Sequence, residues 1–527
     1  MIYHCEDHTC NYWDEGEKLP ERCPQCGRKL LRANEADMTG DDWTALGNTL
    51  WYAEASDKKR MVDCFRKAAY LGSAWGVCNL GICMEQGNGV EADPVQAFWL
   101  YQQAVEMGSL NAVCCLGVCY QYGIGTAPDA EKAAELYCKA AEYGSPRGQM
   151  LLARAFHDGI GVEADAAEAV HWVRAAAYQR YGEGMYRLGV CYEYGDGVEQ
   201  NWEHAVHWFR EAAESGVSAA MTYLGYCYEK GCGVEQSWEQ AFSWYRRGAE
   251  CGYPVSMSNL GLCYKRGYGV EQNEDRALYW YRRGAEAGSV YCMFYLGWNY
   301  SNGVGVKQNM TEAIRWYTAA AEGGNADAMH NLGWHYDYGE GVEQDMKKAI
   351  CWYERAAEQN HPAAMNSLGE CYAMGRGVPR DLETAMEWYR RAAELGEAMA
   401  DYNMGWHLEQ AGKLSEAYAH YRKAADGNDD SAWWALGRFY ENGVVVAQDG
   451  KEARRCYETG EKLGSVKCKM RLARCKLLGI GGRREKKAGL DLCRQALELA
   501  KESSEKEDYG YEAEMNLLRR TIAENES

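Results

Sequence analysis

The sequence contains no apolar stretch approaching the roughly 20 residues that a helix needs to cross a bilayer. It also lacks the basic, then apolar, start of a secretory signal, opening instead Met1-Ile2-Tyr3-His4-Cys5-Glu6-Asp7. Basic charge is in short supply. Lys and Arg number 57 against 77 Asp and Glu, for a formal charge of −20. That argues against a nucleic acid or an anionic membrane as partner, since both call for a basic footprint. Proline is scarce, at 8 in 527 residues, while glycine reaches 58, a balance that suits helices closed by glycine rather than strands punctuated by proline. Phenylalanine, at 7, gives way to 39 Tyr and 19 Trp, aromatics suited to half-wet positions. Without an export signal, the 23 cysteines read as thiols or metal ligands, and the chain as cytoplasmic.

What is present is a repeat. A Leu-Gly pair or near equivalent recurs with its second residue at Gly47, Gly81, Gly117, Ala153, Gly189, Gly225, Gly261, Gly297, Gly333, Gly369, Gly405, Gly437 and Ala473. These thirteen positions, numbered here as repeats 1 to 13, are 36 residues apart except for one interval of 34 and one of 32. A Tyr follows three residues later in most repeats, and a small residue such as Ala112, Ala220 or Ala328 precedes by five. Spacings of three to five share one helical face, so this segment is helix A, and its small residues let a neighbouring helix approach. Next comes Gly-x-Gly-Val or a variant, at 87, 123, 159, 195, 231, 267, 303, 339 and 375. A phosphate loop would follow a strand and occur once. Nine copies fit a helix C-cap, with the first Gly left-handed. An Asp, Asn or Ser twelve residues after the Leu-Gly position, for example Asp93, Asn201 and Ser237, marks the N-cap of helix B. Helix B then reads Ala-x-x-Trp-Tyr-x-x-Ala-Ala-Glu, as at Ala313…Trp316-Tyr317…Ala320-Ala321-Glu322. The short connection makes A and B antiparallel.

Together these motifs resemble the Sel-one-like repeat, a relative of the tetratricopeptide repeat, over about residues 41 to 482. The resemblance implies an all-α fold, an αα-solenoid superhelix of about thirteen 36-residue helix-turn-helix repeats. It implies adaptor function, with helix A lining the concave surface, and supplies no catalytic residues. The expected organisation is a zinc-ribbon-like module at 1–36, the solenoid at 37–482, and a polar segment with a capping helix at 483–527.

Cysteines fall into two groups. Cys83, Cys119, Cys191, Cys227, Cys263, Cys371 and Cys475 each sit two residues after the Leu-Gly position. One thiol per repeat makes no chelate, and free Cys packs as a small apolar residue. The N-terminal pairs Cys5-x4-Cys10 and Cys23-Pro-Gln-Cys26-Gly27 differ. The second is a tight turn with N–H groups aimed at sulfur, suited to tetrahedral zinc in a closed structural site. Both pairs together resemble a zinc ribbon or rubredoxin-like knuckle pair. The wider first pair leaves open a set in which His4 or His8 replaces one Cys, and iron as the metal. Residues 1–36 carry seven acidic and five basic side chains, which favours a capping or docking module over phosphate binding.

The candidate partner surface lies in repeats 8 to 12. The position after the Leu-Gly pair carries Trp298, Trp334, Glu370 and Trp406 in succession, and the position one turn earlier carries Phe294, Tyr402 and Trp434. Asp337 and Glu409 add acidic edges. An aromatic trough of this kind suits anchor residues of an interface, although aromatics at helical spacing also pack between neighbouring A helices. The favoured reading is a non-catalytic scaffold that takes a basic segment of a protein partner. A sensor binding a peptide or glycan in the same trough is the alternative. The 11 histidines are scattered, and no insertion breaks the repeat around a polar cluster. For the metal module, plasma mass spectrometry of freshly purified protein is expected to find about one zinc per chain. Less than about half a zinc per chain would contradict the four-cysteine site.

Overall fold

The computed structural model describes residues 2–5, 13–15, 30–33, 35–51, 55–506 and 512–526. At the N-terminus three short strands, β1 (Ile2–Cys5), β2 (Trp13–Glu15) and β3 (Leu30–Ala33), pair antiparallel in the order β2-β1-β3. The elements described beyond them are helices, in consecutive antiparallel pairs apart from a short 3-10 turn at Glu35–Asp37 and the final helix Glu512–Glu526. The chain divides into two compact units, Met1–Asn273 and Glu274–Ser527. No helix of the described residues is long and apolar enough to cross a membrane.

Repeat 3 shows how sequence makes the unit. Ser109 accepts from the N–H of Ala112 and opens helix A, Leu110–Tyr122. Gly123, at φ +71°, closes it in the left-handed conformation that costs a side-chain-bearing residue energy. The chain then turns, held by the Asp129 N–H donating to the Tyr120 carbonyl. The Asp129 carboxylate accepts from Lys132 N–H and starts helix B, Ala130–Glu142. The N-cap row does the same at Asp93, Asp165, Asn201, Ser237, Asn309, Asp345, Asp381 and Asp449. The capping expected of the first glycine holds in all nine loops. The second glycine has a use that the repeat pattern did not disclose: a Cβ on Gly125, Gly161 or Gly197 would fall on the carbonyl of Pro94, Ala130 or Ala166. Each of those carbonyls belongs to the first residue of the previous repeat's B helix. The loop therefore seats one repeat on the one before.

Inside each repeat the Leu-Gly glycine meets the aromatic ring of its own B helix. A Cβ on Gly81 would lie 2.7 Å from Tyr101, on Gly117 2.5 Å from Tyr137, and on Gly225 2.6 Å from Tyr245. In the second unit the same contact joins Gly297 to Tyr317, Gly333 to Tyr353, Gly369 to Tyr389 and Gly405 to Tyr421. These tyrosines are among the largest fully buried side chains. Around them lie the small B-helix alanines, such as Ala104, Ala140, Ala356 and Ala392. The ring is the thick element of a thin core, and glycine is what admits it. At the C-terminal end, Lys486–Lys506 occupies the B-helix place against Val466–Leu478. The helix Glu512–Glu526 then lays Met515 and Leu518 over Met470, Leu477 and Cys493, with Glu514 accepting from Arg471 at 2.7 Å.

Gly369→Ala forces a methyl group into the Tyr389 ring and is expected to destabilise the protein by about 1–3 kcal/mol. The urea midpoint followed by circular dichroism reads this, and an unchanged midpoint would contradict it.

Candidate functional site

Four residues after the Leu-Gly position, the A helix presents an acceptor to the buried phenol. Tyr101 donates to Glu85 at 2.6 Å, Tyr137 to Gln121 at 2.7 Å and Tyr245 to Glu229 at 2.8 Å. In the second unit Tyr421 donates to Glu409 and Tyr457 to Glu441, both at 2.8 Å, and Tyr353 to Asp337 at 3.4 Å. A buried hydroxyl demands such a partner, so this polar row follows from the ring row.

Two of the acidic edges expected of the trough, Asp337 and Glu409, belong to this acceptor row. Asp337 is 2% exposed and also accepts from Arg376 Nη1 at 2.8 Å. Burial holds its pKa above the ordinary value, against the pull of that arginine. Glu409 also accepts from Arg438 at 2.9 Å. Glu370 accepts from Asn366 at 3.1 Å and Asn403 at 3.2 Å, and pairs with Arg376 at 3.7 Å. Its pKa too is raised by burial. All three carboxylates are thus engaged by their own chain.

The aromatic residues are placed differently. Trp406 is 40% exposed, while Trp298, Trp334 and Trp434 are half-buried. Trp334 lies against exposed Tyr338, with ring centroids 5.1 Å apart, and Trp406 lies edge-on to His407 at 4.7 Å. Phe294 and Tyr402 are half-buried against Tyr317 and Tyr421 of their own B helices. Trp434 has Arg438 and Lys467 over its ring at 4.6 and 5.2 Å. The Trp row therefore presents part of each ring outward, unlike the closed Tyr row.

Six of the seven repeated cysteines sit in the core, and Cys191 is half-buried. Cys83, Cys119, Cys227, Cys263, Cys371 and Cys475 are all buried, and burial pushes their thiols up to about 12. His335, in the same row, is buried and shares a hydrogen bond through Nδ1 with the Glu340 carbonyl. Of the N-terminal four, Cys5 ends β1, while Cys10, Cys23 and Cys26 and the side chain of Cys5 lie outside the described residues.

Four repeats depart from tyrosine at the ring position: repeat 1 carries Phe65, repeat 13 carries Cys493 opposite Ala473, and repeats 4 and 5 differ as follows. Phe209 replaces the tyrosine of repeat 5. Its acceptor, Glu193, is 6% exposed and its Oε2 has no hydrogen-bond partner. Burial accordingly raises the Glu193 pKa. In repeat 4, Val173 replaces the tyrosine and Ala153 the glycine.

Paired helices stacked through glycine-seated loops, with an aromatic ring locked in most pairs, define an αα-solenoid of the tetratricopeptide-like class. The chain belongs to the Sel1 repeat family, whose repeat matches twelve segments running from 76–109 to 466–501. Solenoids of this family are generally protein-interaction scaffolds. The first helix pair, Gly40–Thr49 with Ala55–Tyr70, precedes those segments yet keeps the same contact, Gly47 on Phe65. A solved structure of a protective antigen present in uropathogenic Escherichia coli strains, displaying an SLR fold, is 30% identical. It aligns over 81% of this chain and 90% of that one, with a TM-score of 0.59. A Sel1 repeat protein from Oxalobacter formigenes is 28% identical over 61% of this chain and 95% of that one, with a TM-score of 0.44. Among curated proteins, none matches the chain.

Phe209→Tyr supplies a donor for Glu193 Oε2, at the same sixteen-residue separation as Tyr245 and Glu229. The Glu193 pKa is raised in the folded state, so its cost is absent below the unfolded value of about 4.3 and complete above the folded one. The substitution should therefore stabilise by about 1 kcal/mol near neutral pH and by less near about pH 4. Urea midpoints at the two pH values check this, and equal gains would contradict it.

Proposed function

We propose that the chain is a non-catalytic adaptor that binds a protein partner through the A-helix face of repeats 8 to 12. The observation that carries the reading is the Trp row. Trp298, Trp334 and Trp406 hold one register on successive A helices, interrupted once by Glu370, and keep part of each ring exposed. Large rings that are partly dry and partly open are the residues from which interface anchors are made. Phe294, Tyr402 and Trp434 extend this surface. Asp337, Glu370 and Glu409 brace it by holding arginines and tyrosines of their own chain. In the tetratricopeptide class this face is the concave one. With a formal charge of −20, the fitting partner presents a basic segment, which the acidic surface attracts over distance. At the N-terminus, the spacing of Cys5, Cys10, Cys23 and Cys26 supports a structural zinc that would hold the β1–β3 module together.

Affinity capture with the full chain as bait, compared with Trp298→Ala/Trp334→Ala/Trp406→Ala, tests the surface. A protein retained by the wild type and lost by the triple variant, with circular dichroism unchanged, is the expected result. Equal retention would place binding elsewhere, and loss of helicity in the variant would make these residues core.

A further inference from the structure

Repeat 4 breaks the ring–glycine contact from both sides. Ala153 and Val173 are buried, at 3% and 6% exposure, so their positions are still interior but lack the ring that fills them in the neighbouring repeats. The space opens as a pocket of about 810 Å³ between helix A, Pro146–Asp158, helix B, Ala166–Tyr178, and the next helix A, Gly182–Tyr194. That size falls in the range of small-molecule sites. Its floor is apolar, formed by Ala153, Val170, Val173 and Val190.

The rim has the opposite character. It carries Arg147, Arg154, Arg187 and His157 against Asp158, Glu183 and Asp196, three guanidiniums and an imidazole facing three carboxylates in a strongly acidic chain. The carboxylates are also largely spent. Asp158 holds His157 Nδ1 at 2.7 Å and Arg154 Nε at 3.3 Å, and Asp196 holds His157 Nε2 at 3.2 Å. Glu183 remains, one turn before Arg187 on the same helix. Arg147 donates to Asn111 Oδ1 at 2.6 Å and Cys115 Sγ at 3.5 Å, and no carboxylate pairs with it among the described residues. Arg187 lies over the Tyr186 ring at 6.0 Å. Polarity at the ring's far end is inverted as well. Where Glu85, Gln121 and Glu229 accept a phenol proton in other repeats, repeat 4 places His157.

We propose that this pocket binds a small aromatic carboxylate, its ring in the space the repeat leaves unfilled and its carboxylate among the rim guanidiniums. A ring brings an apolar surface that matches the apolar floor. A carboxylate meets guanidinium in charge-assisted, often bidentate, hydrogen bonds. The site is separate from the Trp row of repeats 8 to 12 and does not depend on it.

The direct probe is 4-methylbenzoate, the tyrosine ring with a carboxylate in place of its hydroxyl, titrated calorimetrically into the full chain. 4-Methylbenzyl alcohol serves as the neutral counterpart. The acid should bind saturably and roughly tenfold more tightly than the alcohol. Arg147→Gln/Arg187→Gln should erase that preference. Ala153→Gly/Val173→Tyr restores the chain's own ring and should abolish binding of both probes. Val190→Phe obstructs the floor from the next helix and should do the same, which keeps the test decisive if the first pair impairs folding. No saturable binding to the wild type, equal affinity for acid and alcohol, or binding that persists in both filled variants would each overturn the proposal.

Discussion

In an αα repeat the distance between paired helices is set by the bulk held between them. Here that bulk is one aromatic ring, and the facing helix makes room by having no side chain at all. The glycine at Gly117, Gly225 or Gly333 carries the cost of a flexible residue inside a helix, about 0.5–1 kcal/mol relative to alanine. In exchange it seats Tyr137, Tyr245 or Tyr353 in a site too close for any Cβ. Much else follows from that placement. A buried phenol needs an acceptor, so Glu85, Gln121, Glu229 and their equivalents stand one turn beyond the glycine. Those acceptors in turn hold arginines of the next repeat, as Asp337 holds Arg376 and Glu409 holds Arg438.

A repeated contact also defines what a departure means. A solenoid is stabilised by each repeat and its nearest neighbours, so one repeat can change its filling without unravelling the rest. Repeat 5 keeps the ring but drops its hydroxyl, and Glu193 Oε2 is left without a donor. Repeat 4 drops the ring, adds a methyl group opposite, and becomes a pocket. In the second unit repeats 8 to 12 keep the ring–glycine contact, and their variation lies outward, at the half-exposed Trp298, Trp334 and Trp406, while repeat 13 replaces glycine and ring with buried Ala473 and Cys493. Both proposed binding surfaces lie where the chain departs from a rule that the remaining repeats enforce.

The helical repeat was legible in the sequence because its signals are local. Periodicity located both helices, the glycine C-caps and the N-cap row, and the structure places them accordingly. Relations between residues twenty positions apart were harder to read. The pairing of Leu-Gly with the B-helix ring needs the helices docked before it can be seen, so Ala153 registered only as a variant of the pair and Val173 passed unremarked. The second loop glycine was missed for the same reason, since its constraint comes from the carbonyl of the previous repeat. Charge was legible only as a pattern. Type and spacing mark Asp337 and Glu409 as acidic edges and Glu370 as a member of the Trp row, but do not disclose that each also holds an intramolecular donor.

The claim that glycine and ring form one coupled element is tested most directly by a double-mutant cycle at repeat 3, where the phenol's acceptor is the neutral Gln121. Unfolding free energies of Gly117→Ala, Tyr137→Val and the double variant would be compared. The account predicts strong coupling. The methyl group that clashes with the tyrosine should cost little once valine stands there, as Ala153 and Val173 coexist in repeat 4. The double variant should then fall short of the summed single losses by about 1 kcal/mol or more. Strict additivity would contradict it.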